Sequence, residues 1–333
     1  MRYYDIQLLK PGTSTIVKRW QSFPNGVFNP AAQNVLMDFM LTAEDTPLGG
    51  SSLKIEGVSL DDLKQSTQYG AQKVGGKSTP GLDIRVFGGM GKGLPLANPA
   101  QQGLILAGTV WQSYGNWEGV NQSLDMVIFP ALAFVQPVNL TFNWLAGTPL
   151  SQALAAAFSN AFPGYKQVIQ ISPNRKLSYT QPGVYSSVDR FAAMIRRLTE
   201  GQLSANDPGV SIIVQNGAVY AVDGTAQTTP KQLSFYDLIG QPTWLTINQI
   251  QIKTVMRGDI LVGDVVELPN QLSGLPGQVI QTNPITALPG LRQNSIFTGK
   301  FHVNQIRQIG NFRSPNGADW CTVMNCVSLE GAS

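Results

Sequence analysis

Apolar and polar positions alternate with a period of two through most of the chain, and that rhythm divides it into three stretches. In the first, strands are predicted at Arg2–Leu9, closed by the Lys10-Pro11-Gly12 turn, and at Asn34–Thr42, where Val35, Met37, Phe39 and Leu41 share one face. The other face of Asn34–Thr42 carries Leu36 and Met40 around Asp38. A strand facing water would present a cleanly polar face, so this pattern implies a covered outer surface, by a partner or by a helix of the same chain. A strand at Ser51–Val58 leads into a capping-box pattern, Ser59 with Asp62, which predicts a short helical turn with Leu60 and Leu63 inward. Residues 65–81 read as a polar, Gly-rich loop. Strands resume at Leu82–Phe87, Gln102–Trp111 and Leu124–Phe129, with the Gly88–Gly93 run as a flexible loop. Five to seven short strands with glycine punctuation favour a small barrel or sandwich.

The middle changes period. Val138, Leu140, Phe142 and Trp144 alternate with polar residues, and Thr148-Pro149 then offers an N-cap and a first-turn proline. A helix follows through Leu150, Leu154, Phe158 and Phe162, ended by Pro163-Gly164. A second helix opens at Ser186, with Asp189 capping it, and buries Val188, Phe191, Ile195 and Leu198. Strands are predicted at Gln167–Ile171, Val210–Gln215 and Ala218–Val222. From Phe235 the chain returns to β, with strands at Trp244–Ile252, Gly263–Leu268, Phe297–Ile309 and Trp320–Leu329, and a Pro/Gly/Asn-rich connection over 270–295. The predicted fold is therefore mainly β with an α+β insert: residues 1–135 a first β domain, 136–230 an α+β module, 231–333 a second β domain. The loops at 65–81 and 270–295 are expected to order only against partners.

Composition sharpens this picture. Charged residues make up 13% of the chain, about half the usual share, and 48 Asn and Gln outnumber the 43 charged side chains. Amides hydrogen-bond without the desolvation cost of an ion, which suits polar surface later covered by a partner. A net charge of +3 is too small to argue for electrostatic capture of nucleic acid. Arg2, Asp5 and Lys10 interrupt what a leader would need as an apolar core, and Pro130 and Pro137 break the most apolar stretch, so neither a cleaved leader nor a membrane span is expected. Cys321 and Cys326 are five apart, on opposite faces of a strand, which disfavours a disulfide between them.

Candidate chemistry is thin. Gly75-Gly76-Lys77-Ser78 matches the end of a phosphate-binding loop, but Ala71 stands where the first glycine belongs and Thr79-Pro80-Gly81 follows where a helix should start. The single histidine, His302, reads as a residue on the polar face of a strand. It forms no catalytic or zinc pattern with the two cysteines, and no GxSxG elbow is present. No catalytic, cofactor or metal residue is predicted. A carboxylate pair for polysaccharide hydrolysis would come from Glu118, Asp189, Glu200, Asp207 and Asp223, of which Asp189 reads as a cap and Asp223-Gly224 as a turn. Trp111, Tyr114 and Trp117, interleaved with Gly, Asn and Ser, look like a contact loop or the cap of a barrel end. Lys176, Arg190, Arg196 and Arg197 make the middle locally basic, as a solvated helix face or as a surface for an acidic partner.

The last third resembles a known family. Gly263-Asp264 with Val265 and Val266, then Phe297, Gly299, Phe301 and Val303 in an F-x-G-x-F-x-V strand, then Ile309-Gly310-Asn311-Phe312-Arg313 and a strand led by Trp320, is similar to the closing barrel of bacteriophage baseplate hub proteins. The stretch from Gly103 to Gly119 is similar in style to the family's first barrel. The resemblance implies two tail-tube-like barrels flanking the insert and no enzymatic activity or cofactor. It also implies a homotrimer forming a ring of six barrels in the virion tail baseplate, assembled in the host cytoplasm. Its partners would be the six-fold tail tube protein, the three-fold central spike and other baseplate proteins, with DNA only in transit. A tail-associated peptidoglycan or polysaccharide hydrolase and a carbohydrate-binding adhesive module are the alternative readings.

Overall fold

A computed structural model describes residues 1–43, 51–74, 77–93, 98–129, 138–204, 207–225, 229–246, 249–269 and 299–329. In the first third the strands are β1 (Arg2–Leu9), β2 (Ile16–Gln21), β3 (Asn34–Thr42), β4 (Ser51–Glu56), β5 (Gln72–Val74), β6 (Lys77–Thr79), β7 (Asp83–Met90), β8 (Gly103–Glu118) and β9 (Asn121–Phe129). The middle holds β10 (Leu140–Trp144), β11 (Lys166–Gln170), β12 (Gln181–Tyr185), β13 (Ser211–Gln215) and β14 (Ala218–Val222). The last third adds β15 (Lys231–Gln232), β16 (Thr243–Trp244), β17 (Gln249–Val255), β18 (Val265–Leu268), β19 (Gly299–Asn311) and β20 (Trp320–Ser328). The described α-helices are α1 (Leu60–Tyr69), α2 (Leu150–Ala161) and α3 (Val188–Thr199), and short 3-10 turns join some of the strands. The class is as predicted: mainly β, with the α+β insert between two β regions.

The two β regions are joined. One 13-stranded sheet runs β16-β17-β20-β19-β3-β4-β9-β8-β7-β1-β2, with β15 and β18 branching from β19, and among the described residues its path does not close on itself. The join is the antiparallel pairing of β19 with β3, Gln305–Asn311 against Thr42–Leu36. β19 is long enough to serve two neighbours along one edge: its start pairs β18 through Gly299–His302, and a register irregularity between Val303 and Gln305 resets it before β3. Val35, Met37, Phe39 and Leu41 of β3 enter one hydrophobic core with Ile252, Val303, Ile306, Trp320 and Met324 from the far end of the chain.

Two clamps hold the ends together. Arg2 donates to the carbonyls of Asn311 (2.5 Å), Phe312 (3.0 Å), Ser314 (2.6 Å) and Asn316 (2.5 Å), tying the first strand to the turn before β20. Buried Arg257 holds Asp259 with two hydrogen bonds and Asp237 with a third, and Gln101 donates to the same Asp237 at 2.9 Å. There the backbones of Gly103 and Gly258 meet so closely that a β-carbon on either would lie 2.5 Å from the other's main chain.

Several predicted loops are ordered elements. The helix after Ser59 runs to Tyr69 because the capping box forms in full, and its buried stripe is Asp62, Ser66 and Tyr69. Leu60, expected inward, is 48% exposed, since the box turns Asp62 inward instead, where Lys18 meets it at 2.5 Å. Residues 72–79 hold the β5–β6 strand pair rather than a loop; Gly75 and Gly76 lie outside the described residues. Gly88 and Gly89 belong to β7, where Gly88 makes room for Met256 and Ile105.

In the middle, β11, β14 and β13 form a three-stranded sheet and β10 pairs β12. Leu150, Leu154 and Phe158 of α2, with Val188, Phe191 and Ile195 of α3, pack against Leu140, Trp144, Ile212 and Val219 in a second core. Every residue of β13 is buried because the sheet is covered twice: Ile212 and Val214 face the helices, whereas Ile213, with Val222 of β14, joins the main core.

Candidate functional site

The most extensive feature is the outer face of the joined sheet. Strand registers place its residues in continuous rows: Val127, Ser52, Asp38, Ile309 and Cys321 in one, Met40, Arg307, Val323 and Lys253 in the next. A third row contains Tyr114, Asp125, Lys54, Leu36 and Asn311. The face mixes polar, charged and half-buried apolar side chains. Arg307 holds Asp38 with two parallel hydrogen bonds of 2.7 and 2.6 Å. Gln251 donates to Asn325 (3.1 Å) and Asn325 to Gln305 (2.8 Å), an amide ladder across three strands. Leu36, Met40, Ile309 and Val323 stand between these groups, half-buried. None of the described helices covers it: α1 packs on β8 and β9 from the core side, α2 against β10 and β11, α3 against β12 and β13. A partner can cover the stretch around Arg307 and Asp38 without stripping water from a lone charge.

The three aromatics singled out in the sequence lie in a strand, not a loop. β8 continues through Glu118, and Gly115, which read as a loop signal, is the point where α1 crosses: a β-carbon there would lie 2.9 Å from Ser66 Oγ and 3.0 Å from Leu63. The strand separates them. Tyr114 (51% exposed) lies on the outer face, and Trp111 (39%) sits at the register shift between Val110 and Gln112, edge-on to Phe129 at 5.3 Å. Trp117 (62%) points to the opposite side, its indole N–H donating to the Gly119 carbonyl at 2.9 Å. Leu36, Met40, Ile309 and Val323 were the members of this surface that local pattern signalled only in part: β3 displayed its second apolar face, whereas Ile309 and Val323 come from strands whose neighbours are set by the fold.

Three of the five candidate carboxylates are spent on structure. Asp207 and Asp223 do come together, but around the fully buried Arg175, which bonds Asp207 at 2.7 and 3.0 Å, Asp223 at 2.7 Å and the Thr199 carbonyl at 2.9 Å. Burial alone would raise the Asp207 carboxyl; Arg175 and the amides of Gly209 and Leu203 outweigh it and hold it below the usual range. Asp223 is likewise held low against its burial, by Arg175, the Ser172 amide and Thr225. Two carboxylates fixed in the charged form cannot supply the protonated acid a glycosidase requires. Asp189 bonds Ser187 at the start of α3, which lowers its carboxyl. Glu200 is exposed just after α3, and Glu118 is exposed at the end of β8.

His302, expected on a polar face, is only 5% exposed, because the middle module lies over it. Lys77 and Ser78 of the phosphate-loop-like motif lie in β6, and no helix starts there. Cys321 and Cys326 are buried free thiols. Among the described residues no group of three His, Cys, Asp or Glu is placed to hold a metal ion, and no helix is long and apolar enough to cross a membrane.

No family model and no curated protein matches the sequence. Among solved structures, the chain is similar to the 43 kDa tail protein of prophage MuSo2 from Shewanella oneidensis, with 10% identity, 98% of this chain and 97% of that one covered, and a TM-score of 0.48. It is similar to the tail protein from Neisseria meningitidis MC58 at 10% identity, 98% and 97% coverage and a TM-score of 0.49. A third likeness is to the Escherichia coli c3393 protein, described as a component of the type VI secretion system, at 8% identity, 91% and 76% coverage and a TM-score of 0.48.

Proposed function

We propose that this protein is a structural component of a contractile phage tail, the baseplate hub that adapts a six-fold tail tube to a three-fold spike and lines part of the DNA channel. The supporting observation is the outer sheet face: continuous across both β regions, polar and partly apolar, with Arg307 paired to Asp38, and free of helices from the described part of the chain. Obligate interfaces have this character, since each copy gives up little hydration when the next covers it. On this reading the two β regions supply tube-like walls, three copies form a ring of six such regions, and the middle module sits outside the channel. Tube, spike and other baseplate proteins are the partners, and the virion tail is the location. The polysaccharide-hydrolase reading loses Asp207 and Asp223, which Arg175 holds ionised.

The test is mass in solution and particle shape. Light scattering at tens of micromolar protein is expected to give three copies per particle, and negative-stain images a three-fold ring with a central pore. Val323→Glu, a charge placed among the half-buried residues of the outer face, is expected to leave a folded monomer with an unchanged circular dichroism spectrum. A wild-type monomer at every concentration, or a trimer indifferent to that substitution, overturns the proposal.

A further inference from the structure

The single histidine occupies the seam between the middle module and the joined sheet. His302 belongs to β19 but lies on the face away from the main core, opposite Phe301 and Val303. The module covers it with the turn after β14: a β-carbon on Gly224 would lie 3.1 Å from the His302 ring and 3.1 Å from Leu329. Gly224 has φ +74°, so the turn reaches the ring in a conformation that glycine adopts without strain. The same seam contains Gly263 packed against Val222 and Ile213, and the Gln215 side chain donating to the Val262 carbonyl at 2.9 Å.

Among the described residues of this seam the imidazole has one hydrogen-bond partner. Nδ1 lies 2.9 Å from Asn304 Oδ1, an atom that can only accept, so the ring proton sits on Nδ1. Nε2 is buried and has no hydrogen-bond partner among the described residues. The charges around it are engaged elsewhere. Asp223 at the end of β14 is bound by Arg175, Asp264 before β18 by Lys231 at 2.7 Å, and Arg196 of α3 donates to Ser211 at 2.7 Å. From β20, Val327 pairs with His302 and brings no charge.

We propose that His302 is a proton-operated latch: a proton taken up at Nε2 weakens the docking of the middle module on the sheet and lets the seam open. The added N–H would be charged, dry and without an acceptor among the described residues, and the module retains a core of its own when the seam opens, while its Ile213 and Val222 leave the main core. Burial pushes the imidazole below its ordinary range, an effect larger than the pull of Asn304, Asp223 and Asp264 toward the charged form. Because the folded value is depressed, the contribution is fully present above the unfolded value of about 6.5 and is lost as pH falls below it.

Amide hydrogen exchange of the full chain at pH 7.5, 6.5 and 5.5, corrected for intrinsic rates, reads the seam directly. The amides of Gly263 and of β13 and β14 are expected to lose protection by up to about tenfold per pH unit below about 6.5, the slope of one proton. The β4–β9 ladder should not change, and in His302→Gln the seam should be flat across the range. The same slope in that variant, or none in the wild type, overturns the proposal. Should the variant not fold, the imidazole of the wild-type protein is titrated by nuclear magnetic resonance. Titration below the ordinary range, together with shifts along β13 and β14, supports the latch; titration near the unperturbed value of about 6.5 with the seam unchanged ends it.

Discussion

Arg175 is the residue on which the middle module depends. Its guanidinium joins the loop after β11, the end of α3, the segment at Asp207 and the end of β14, with no exposure to water. Such a group contributes little net stability when complete, and its loss is severe because the partner charges stay buried. Arg175→Met is therefore expected to destabilise the module by about 3–5 kcal/mol in urea unfolding, which near-ultraviolet dichroism of the Phe142–Trp144 stack can follow. The same network fixes a second acid response. Asp207 and Asp223 have depressed folded values, so their stabilisation is present above the unfolded value of about 3.9 and is lost as pH falls through the folded ones. Wild-type protein should thus show two acid steps, one starting near pH 6.5 from His302 and one below about pH 4, and only the first should vanish in His302→Gln. Nothing adjacent in sequence marks Arg175 as buried; its carboxylates lie 32 and 48 residues away.

At the scale of elements, alternation was readable and glycine was misread. β1 and β3 span the residues their pattern predicts, and β20 ends one residue short of its prediction, because each presents one face to a core wherever its neighbours come from. Gly88 and Gly115 look like turn signals, yet each lies, like Gly103 of the predicted strand, at a place where another part of the chain comes too close for a β-carbon. Those approaching groups, Met256, Gly258 and Leu63, are contributed by the fold and leave no local trace. Gly258→Ala should drive a methyl group into the Gly103 main chain and cost about 1–3 kcal/mol, measured as a shift of the urea midpoint at unchanged slope. β2 and β12 escaped notice for related reasons. Ile16-Val17-Lys18-Arg19 has no clean alternation at the sheet edge, and the Pro182-Gly183 pair in β12 imitates a turn.

For the whole molecule, the predicted order of β, α+β and β holds, and the relation between the outer parts is what the fold adds. Two β regions nearly the length of the chain apart share one sheet and one core through β3 and β19, with Arg2 and, by way of Asp237 and Gln101, Arg257 adding bonds between them. That junction also generates the outer face on which the proposed assembly rests, so the Val323→Glu result bears on the whole molecule rather than on one strand.

By itself the sequence determined the β periodicity, the two amphipathic helices, the scarcity of charge and the second apolar face of β3. All of these are local or compositional properties that a chain carries before it folds. Tertiary structure alone decided that Asp207 and Asp223 converge on a guanidinium, that Tyr114 and Trp117 part to opposite sides of β8, and that His302 is sealed under Gly224. The physical reason is that burial, pairing and charge state belong to neighbours in space. In a sheet assembled from both ends of the chain, those neighbours are remote in sequence.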